Sequence, residues 1–161
     1  MEKKYIFFWL DTQENGVFSN WYERPFVIDD FQYFSVEQYF MAQKAKCFHD
    51  AERYTKILRA KNSEECMLLG REVTPFDPIR WDAVKYDVMK EANREKFWQN
   101  PDLLECLMNT GDSILAEASP RDRIWGIGLD AATAAHTPQE AWQGENLAGK
   151  ILMELRANAC R

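Results

Sequence analysis

The sequence predicts an α+β fold, compact and mostly helical with a few short strands, in one domain spanning residues 1–161. Three observations carry that prediction. Aromatic and β-branched runs of strand length stand at 5–10, 26–28 and 31–34. Other segments repeat apolar residues at helical spacing, most clearly Trp81, Val84, Val88, Met89 and Ala92. The two kinds of segment are intermixed without strict alternation. A chain of 161 residues suits one core, because about two thirds of the unfolded surface is buried at that size.

Each element has a local reason. Met1-Glu2-Lys3-Lys4 followed by residues 5–10 has the outline of an export signal. The apolar run is short, lacks a small-residue cleavage site and ends at Asp11, so it reads as a first strand. The runs at 26–28 and 31–34 flank Asp29-Asp30, a two-residue hairpin signal. Ser35 stands as an N-cap before a helical run, with Glu37 and Gln38 in the first turn, where negative charge favours the helix dipole. A second helix is expected over 51–60. Ser63 reads as the cap of a helix over 64–69, with Gly70 near its end. Pro75 and Pro78 bracket a turn, a long helix covers 81–99, and Pro101 opens another to about 108. Residues 114–118 read as a strand. Thr137-Pro138 suggests a cap with proline at the first helical position. Residues 146–159 form the closing helix. Residues 129–143 carry the least pattern and read as a cover that shapes specificity. Position 148 is Ala where a larger apolar residue is expected, a packing detail.

Composition narrows the function classes. A net charge of −6 and a pI near 5.0 exclude a basic nucleic-acid footprint over the whole chain, though not a local phosphate pocket. No stretch approaches the roughly 18 apolar residues of a membrane span, so no membrane partner is expected. The four cysteines, at 47, 66, 106 and 160, form no CxxC pair, and only His49 and His136 could supplement them. Reduced, buried thiols in a cytoplasmic protein, and no metal site, are the expectation. Aromatic residues make up 14%, with six Trp, more than a core of this size needs, so some rings are expected to line a site.

Five constellations carry possible chemistry. Glu37 and Lys44 lie two turns apart on one helix face with Phe40 and Met41 between them. If that strip faces inward, burial raises the carboxyl pKa and lowers the amine pKa, which suits acid/base or Schiff-base chemistry. Spacing alone favours the plainer arrangement, in which Phe40 packs while the two charges sit at a solvated rim. Residues 117–128 run from a strand into a polar turn: Asp122 offers a carboxylate, Trp125 a stacking face, and Gly126 and Gly128 a close backbone approach. Phe18-Ser19-Asn20-Trp21 places polar side chains between aromatics. Asn146 opens the last helix, as a cap or a contact, with Gly149 three residues on. Arg71, after Gly70, could clasp a phosphate or simply end a helix. No Ser-His-Asp order, P-loop or HExxH is present.

Taken in order, Phe18-Ser19-Asn20, Glu37-Gln38-Tyr39-Phe40 with Gln43-Lys44-Ala45, Gly70-Arg71, Trp81 with Met89, Lys96-Phe97, Leu107 with Thr110, Glu117, Asp122 with Trp125-Gly126-Ile127-Gly128, and Asn146 with Gly149, Leu152-Met153 and Arg156 resemble the NADAR (NAD- and ADP-ribose-associated) family, the YbiA-like N-glycosidases. The resemblance covers roughly residues 18–156. It implies a YbiA-like α+β fold and hydrolysis of an N-glycosidic bond between a ribose and a base-like nitrogen, with no cofactor. It places an active site around residues 35–44. It implies Glu37, Lys44 and Asp122 as catalytic groups, with Phe18, Ser19, Asn20, Arg71, Trp81, Trp125, Gly126 and Asn146 as substrate-binding ones. Glu37 or Asp122 would stabilise positive charge on the ribose, or Glu37 would activate water or pass a proton to the leaving nitrogen. Lys44 would attack the opened sugar to form a Schiff base.

Two substrate classes follow from the resemblance: ADP-ribose attached to guanine, free or in nucleic acid, and phosphoribosyl intermediates of riboflavin biosynthesis. A third reading is a non-enzymatic module that binds ADP-ribose or NAD; it would not require both Glu37 and Lys44.

Overall fold

The computed structural model describes residues 4–159. The chain divides into two units, one of Asn20–Pro101 and one of Met1–Ser19 with Asp102–Arg161. Helices dominate, with four short strands among the described residues.

Residues 20–101 hold an antiparallel hairpin of the chain's second and third strands, β2 (Phe26–Ile28) and β3 (Phe31–Tyr33), in the register Phe26 to Tyr33 and Ile28 to Phe31. The expected Asp29-Asp30 turn closes it, with φ of 50° and 63°, the left-handed pair that a two-residue hairpin needs. Phe26 and Ile28 are buried and Val27 is exposed, the alternation of a strand with one covered face.

Ser35 then caps α1 (Val36–Cys47), its Oγ accepting from the Gln38 backbone N–H at 3.2 Å. Val36, Gln38, Phe40, Ala42 and Ala45 are all buried, so α1 is covered nearly all round, as a central helix is. It packs against α2 (Ala51–Leu58), α3 (Ser63–Arg71) and α4 (Pro78–Trp98).

Two helix starts differ from the sequence reading. α3 is capped by Asn62, whose side chain accepts from Glu65 N–H at 2.9 Å. Ser63 is its first residue, and its hydroxyl lies 3.0 Å from Trp21 O and 2.9 Å from Ser35 Oγ. Gly70 lies near the end of the helix, as expected, and the helix runs on to Arg71. α4 begins three residues earlier than the expected 81, with Asp77 as cap and Pro78 at the first position. Proline fits there because that N–H has no intrahelical partner. The apolar period is missing over that turn because Ile79 is 82% exposed.

In the other unit, β1 (Tyr5–Phe8) pairs in parallel with β4 (Ile114–Glu117), Tyr5 opposite Ile114 and Phe8 opposite Glu117. β1 stops before the expected residue 10; Trp9 and Leu10 are exposed. α5 (Pro101–Met108) lies in this unit apart from its first residue. α7 (Leu147–Ala159) packs on β4. A Cβ at Gly149 would collide with Leu115 O, so glycine sets how closely helix and strand approach.

The bland stretch 129–143 holds α6 (Ala131–Ala134), capped by Asp130, which the sequence reading missed. The start expected at Thr137-Pro138 is only a 3-10 turn, Gln139–Ala141, flanked by Pro138 with no side-chain cap. The chain leaves it extended at Trp142, whose ring packs edge-on against Tyr5 and Phe7.

Among the described residues, no helix is long and apolar enough to cross a membrane. Cys47, Cys66 and Cys106 are free thiols, but of the expected buried set only Cys66 is buried; Cys47 is half-buried and Cys106 exposed, and Cys160 lies outside the described residues.

Candidate active site

In residues 20–101, Glu37 is the second residue of α1 and only 7% exposed. Its backbone N–H is one of the first-turn donors that a helix cannot satisfy internally. It is satisfied by Asn20 O at 3.0 Å. Two turns on, Lys44 is half-buried. Its Nζ donates to Gly70 O at 2.8 Å and lies 4.6 Å from the centroid of the Phe76 ring. Gly70 sits in the last turn of α3, where carbonyls lack helical partners. A Cβ there would run into the Met41 side chain, so glycine lets α3 come close enough for Lys44 to reach.

Burial lowers the Lys44 pKa; the charge of Glu37 works against that and the charge of Arg71 adds to it. The net direction is down, toward the free, nucleophilic amine. Glu37 also acts on Cys66: burial first, then Glu37, Glu65 and Glu23, push that thiol up to about 12, so it stays protonated.

The other expected residues of this unit fall in distinct places. Arg71 is exposed at the end of α3. Trp81 is buried, its ring 5.0 Å from that of Phe40. Asn20 is buried; its side-chain Oδ1 accepts from Asn93 Nδ2 at 3.1 Å. Asn93 and Lys96 were not singled out as site residues, and both are buried on α4. The signal was available as polar residues inside an apolar helical pattern with Met89 and Phe97. Lys96 Nζ lies 5.4 Å from the Tyr22 ring centroid, and burial brings its pKa down to about 7.

In the other unit, Phe18 and Ser19 are buried, Phe18 stacking edge-on with Phe8 at 5.9 Å. Asp122 folds the loop after β4 around itself. Its Oδ1 accepts from the backbone N–H of Ile124 at 2.9 Å and of Trp125 at 2.8 Å, and its carbonyl accepts from Gly128 at 3.1 Å. Trp125 is half-buried. A Cβ on Gly126 would lie 2.8 Å from Asp122 O, 3.0 Å from Glu117 O and 3.1 Å from Glu117 Oε2. The bare backbone at Gly126 thus leaves room for the carboxylate of Glu117, a buried acid that the sequence reading quoted without a role.

Asn146, at φ 54°, holds that strand end. Its Oδ1 accepts from Glu117 N–H at 3.0 Å and its Nδ2 donates to Leu115 O at 2.9 Å. This expected substrate-binding side chain is engaged with β4 backbone. Among the described residues, no group of three or more His, Cys, Asp or Glu could hold a metal ion.

The arrangement is therefore a buried carboxylate and an amine of lowered pKa on one helix, and separately a half-buried loop carboxylate, Asp122, tied to a half-buried tryptophan, with buried Glu117 at the end of β4. Comparison with known proteins bears on both sets. The chain is 44% identical over 95% of its length to a protein of Acanthamoeba polyphaga mimivirus named as an N-glycosidase, covering 95% of that protein. It is 32% identical over 94% of its length to a Vibrio vulnificus protein named as a riboflavin biosynthesis protein, of which it covers 37%. Its structure is similar to the NMR structure of Escherichia coli YbiA, with a TM-score of 0.81, 31% identity, and coverage of 99% of this chain and 87% of that one. The model of the NADAR domain matches residues 7–159, and with it the whole order of motifs from Phe18 to Arg156: the chain belongs to the NADAR domain family.

Proposed function

We propose that this chain is an N-glycosidase, a hydrolase of N-glycosyl compounds, and that its substrate is ADP-ribose attached to guanine, in a free nucleotide or in nucleic acid. The relatives named as N-glycosidases support the reaction class. The observation that carries the mechanism is the half-buried Lys44 amine, lowered in pKa and held at Gly70 O, on the same helix as buried Glu37.

The chemistry follows from those two groups. Breaking the C1′–N bond leaves positive charge on the ribose, which the Glu37 carboxylate stabilises. The departing nitrogen takes up a proton and leaves with the bonding pair. The Lys44 free amine bonds to C1′, Nζ loses a proton, and the C1′–O4′ bond breaks with O4′ taking up a proton, which leaves the opened sugar as a protonated Schiff base. Water then adds to C1′ and gives up a proton, the bond to Nζ breaks with its electron pair returning to the amine, the ring closes, and ADP-ribose and the amine are released. The sum is substrate plus water giving ADP-ribose and guanine. Arg71, exposed and cationic, suits a phosphate of the substrate. The Trp125 ring suits stacking on a base. Free thiols at Cys47, Cys66 and Cys106 suit a reducing cytoplasm.

A second reading, cleavage of phosphoribosyl intermediates of riboflavin biosynthesis, is favoured by the relative named for that pathway. One experiment separates the readings: the protein is incubated with ADP-ribosylated guanosine, with the riboflavin intermediates and with NAD, and release is followed by mass spectrometry. Release of guanine supports the first reading, and release from the riboflavin intermediates alone supports the second. ADP-ribose binding without turnover of any substrate would sink both in favour of a binding module. Borohydride trapping during turnover tests the Schiff base, which is wrong if Lys44→Ala is trapped as well as the parent.

A further inference from the structure

Asn93 lies on α4, 2% exposed, and uses the two ends of its amide unequally. Nδ2 donates to Asn20 Oδ1 at 3.1 Å and to Met89 O at 3.0 Å, which engages both of its N–H bonds. Oδ1 is buried with no hydrogen-bond partner. Turning the amide over would put oxygen against two acceptors, so its orientation is fixed. A buried acceptor without a partner costs free energy, and an apolar residue of the same size would avoid that cost. What only the amide supplies is the pair of donors.

One donor goes to its own helix; the other clamps Asn20. Asn20 is also the residue whose carbonyl accepts from Glu37 N–H at 3.0 Å. Asn93, Asn20 and Glu37 therefore form one chain of contacts from α4 to the first turn of α1, all three buried. A further first-turn anchor of α1 is the Ser35 side chain on Gln38 N–H, one residue on.

We infer that Asn93 is a positioning residue for Glu37, acting through Asn20; the inference rests on the reading of Glu37 as the reacting carboxylate. Asn93 fixes the Asn20 loop, the loop fixes the Glu37 backbone, and the carboxylate is held where charge develops on the ribose. Loosening that chain lowers the rate of the chemical step more than it weakens binding.

The test compares Asn93→Leu and Asn93→Asp with the parent on whichever substrate the parent turns over. Leucine removes the unpartnered acceptor along with the donors; aspartate keeps the shape and reverses the hydrogen-bonding polarity. Expected results are a Tm for Asn93→Leu within a few degrees of the parent, kcat lowered at least about tenfold with KM changed less than about threefold, a displaced acid limb of the pH–rate profile, and faster hydrogen exchange at the Glu37 amide. Unchanged exchange at Glu37, or faster exchange with unchanged kcat, overturns the inference while leaving the glycosidase reading standing. Failure of both variants to fold marks Asn93 as structural and also overturns it. A parent inactive on every substrate defeats the glycosidase reading first, and this role with it.

Discussion

The Glu37 carboxylate raises the pKa of Lys44, two turns away on the same helix, while burial and Arg71 lower it, and the lowering wins. Lys44 is thus an amine set between two opposed influences. Its Nζ stays within hydrogen-bond reach of a single carbonyl, Gly70 O, at 2.8 Å.

That balance predicts opposite shifts from two neutralising substitutions. Glu37→Gln removes the influence that raises the pKa, so the free amine appears at lower pH than in the parent. Arg71→Ala removes a cation that lowers it, so the free amine appears at higher pH. The measurement is the pH dependence of amine modification at Lys44 followed by peptide mass spectrometry. Shifts of the same sign in both variants would contradict the account.

Lys96 predicts a stability slope. Its folded pKa is about 7, against about 10.4 for an unfolded lysine. Between those values the unfolded chain holds a proton that the folded chain has lost, so stability rises with pH, by at most about 1.4 kcal/mol per pH unit. Urea unfolding from pH 7 to pH 10 should show that rise in the parent. It should be absent in Lys96→Met.

Asp50 predicts the acid limb. Burial would raise its pKa, but backbone N–H groups of Thr74 and Arg53 and the charges of Arg53 and Lys56 bring it below the usual carboxylate range. Its contribution is present above the unfolded value near 3.9 and fades as pH falls through the lower folded value. Asp50→Ala removes the cap of α2 and the tie to Thr74, with an expected loss of about 1–2 kcal/mol at pH 7. Asp50→Asn, which can still accept through one oxygen, should lose less. Thermal unfolding of both variants checks the order.

Asn146 separates a sugar contact from a brace. Replacing it with Ala leaves Glu117 N–H and Leu115 O without their partners, at an expected cost of about 1–3 kcal/mol for each buried group so exposed. A fall in Tm of that order together with lowered kcat is the expected outcome. A raised KM with unchanged Tm would instead assign the side chain to substrate.

Much of the fold was legible because its signals are local. The Ser35 cap, the Asp29-Asp30 turn and the helical repeat from Trp81 to Ala92 each declare themselves within a few residues. The start of α3 was misplaced because Asn62 and Ser63 are both good caps, and the choice lies in which backbone turns extended. α4 was begun late because Ile79 and Arg80, both exposed, break the apolar pattern of its first turn.

The sequence by itself determined the type of most elements outside residues 129–143, the pairing of Glu37 with Lys44 on one helix, and the family to which the ordered motifs belong. Only the tertiary structure decided which polar groups are buried and what they hold. Asn93 against Asn20, Asn146 across β4, and Lys96 among rings are contacts or burials set by residues distant along the chain. A one-dimensional pattern records the period of an element, whereas hydrogen bonds and desolvation depend on which other elements close around it. For the site, that difference engaged the Asn146 side chain with β4 backbone and brought Asn93 against Asn20.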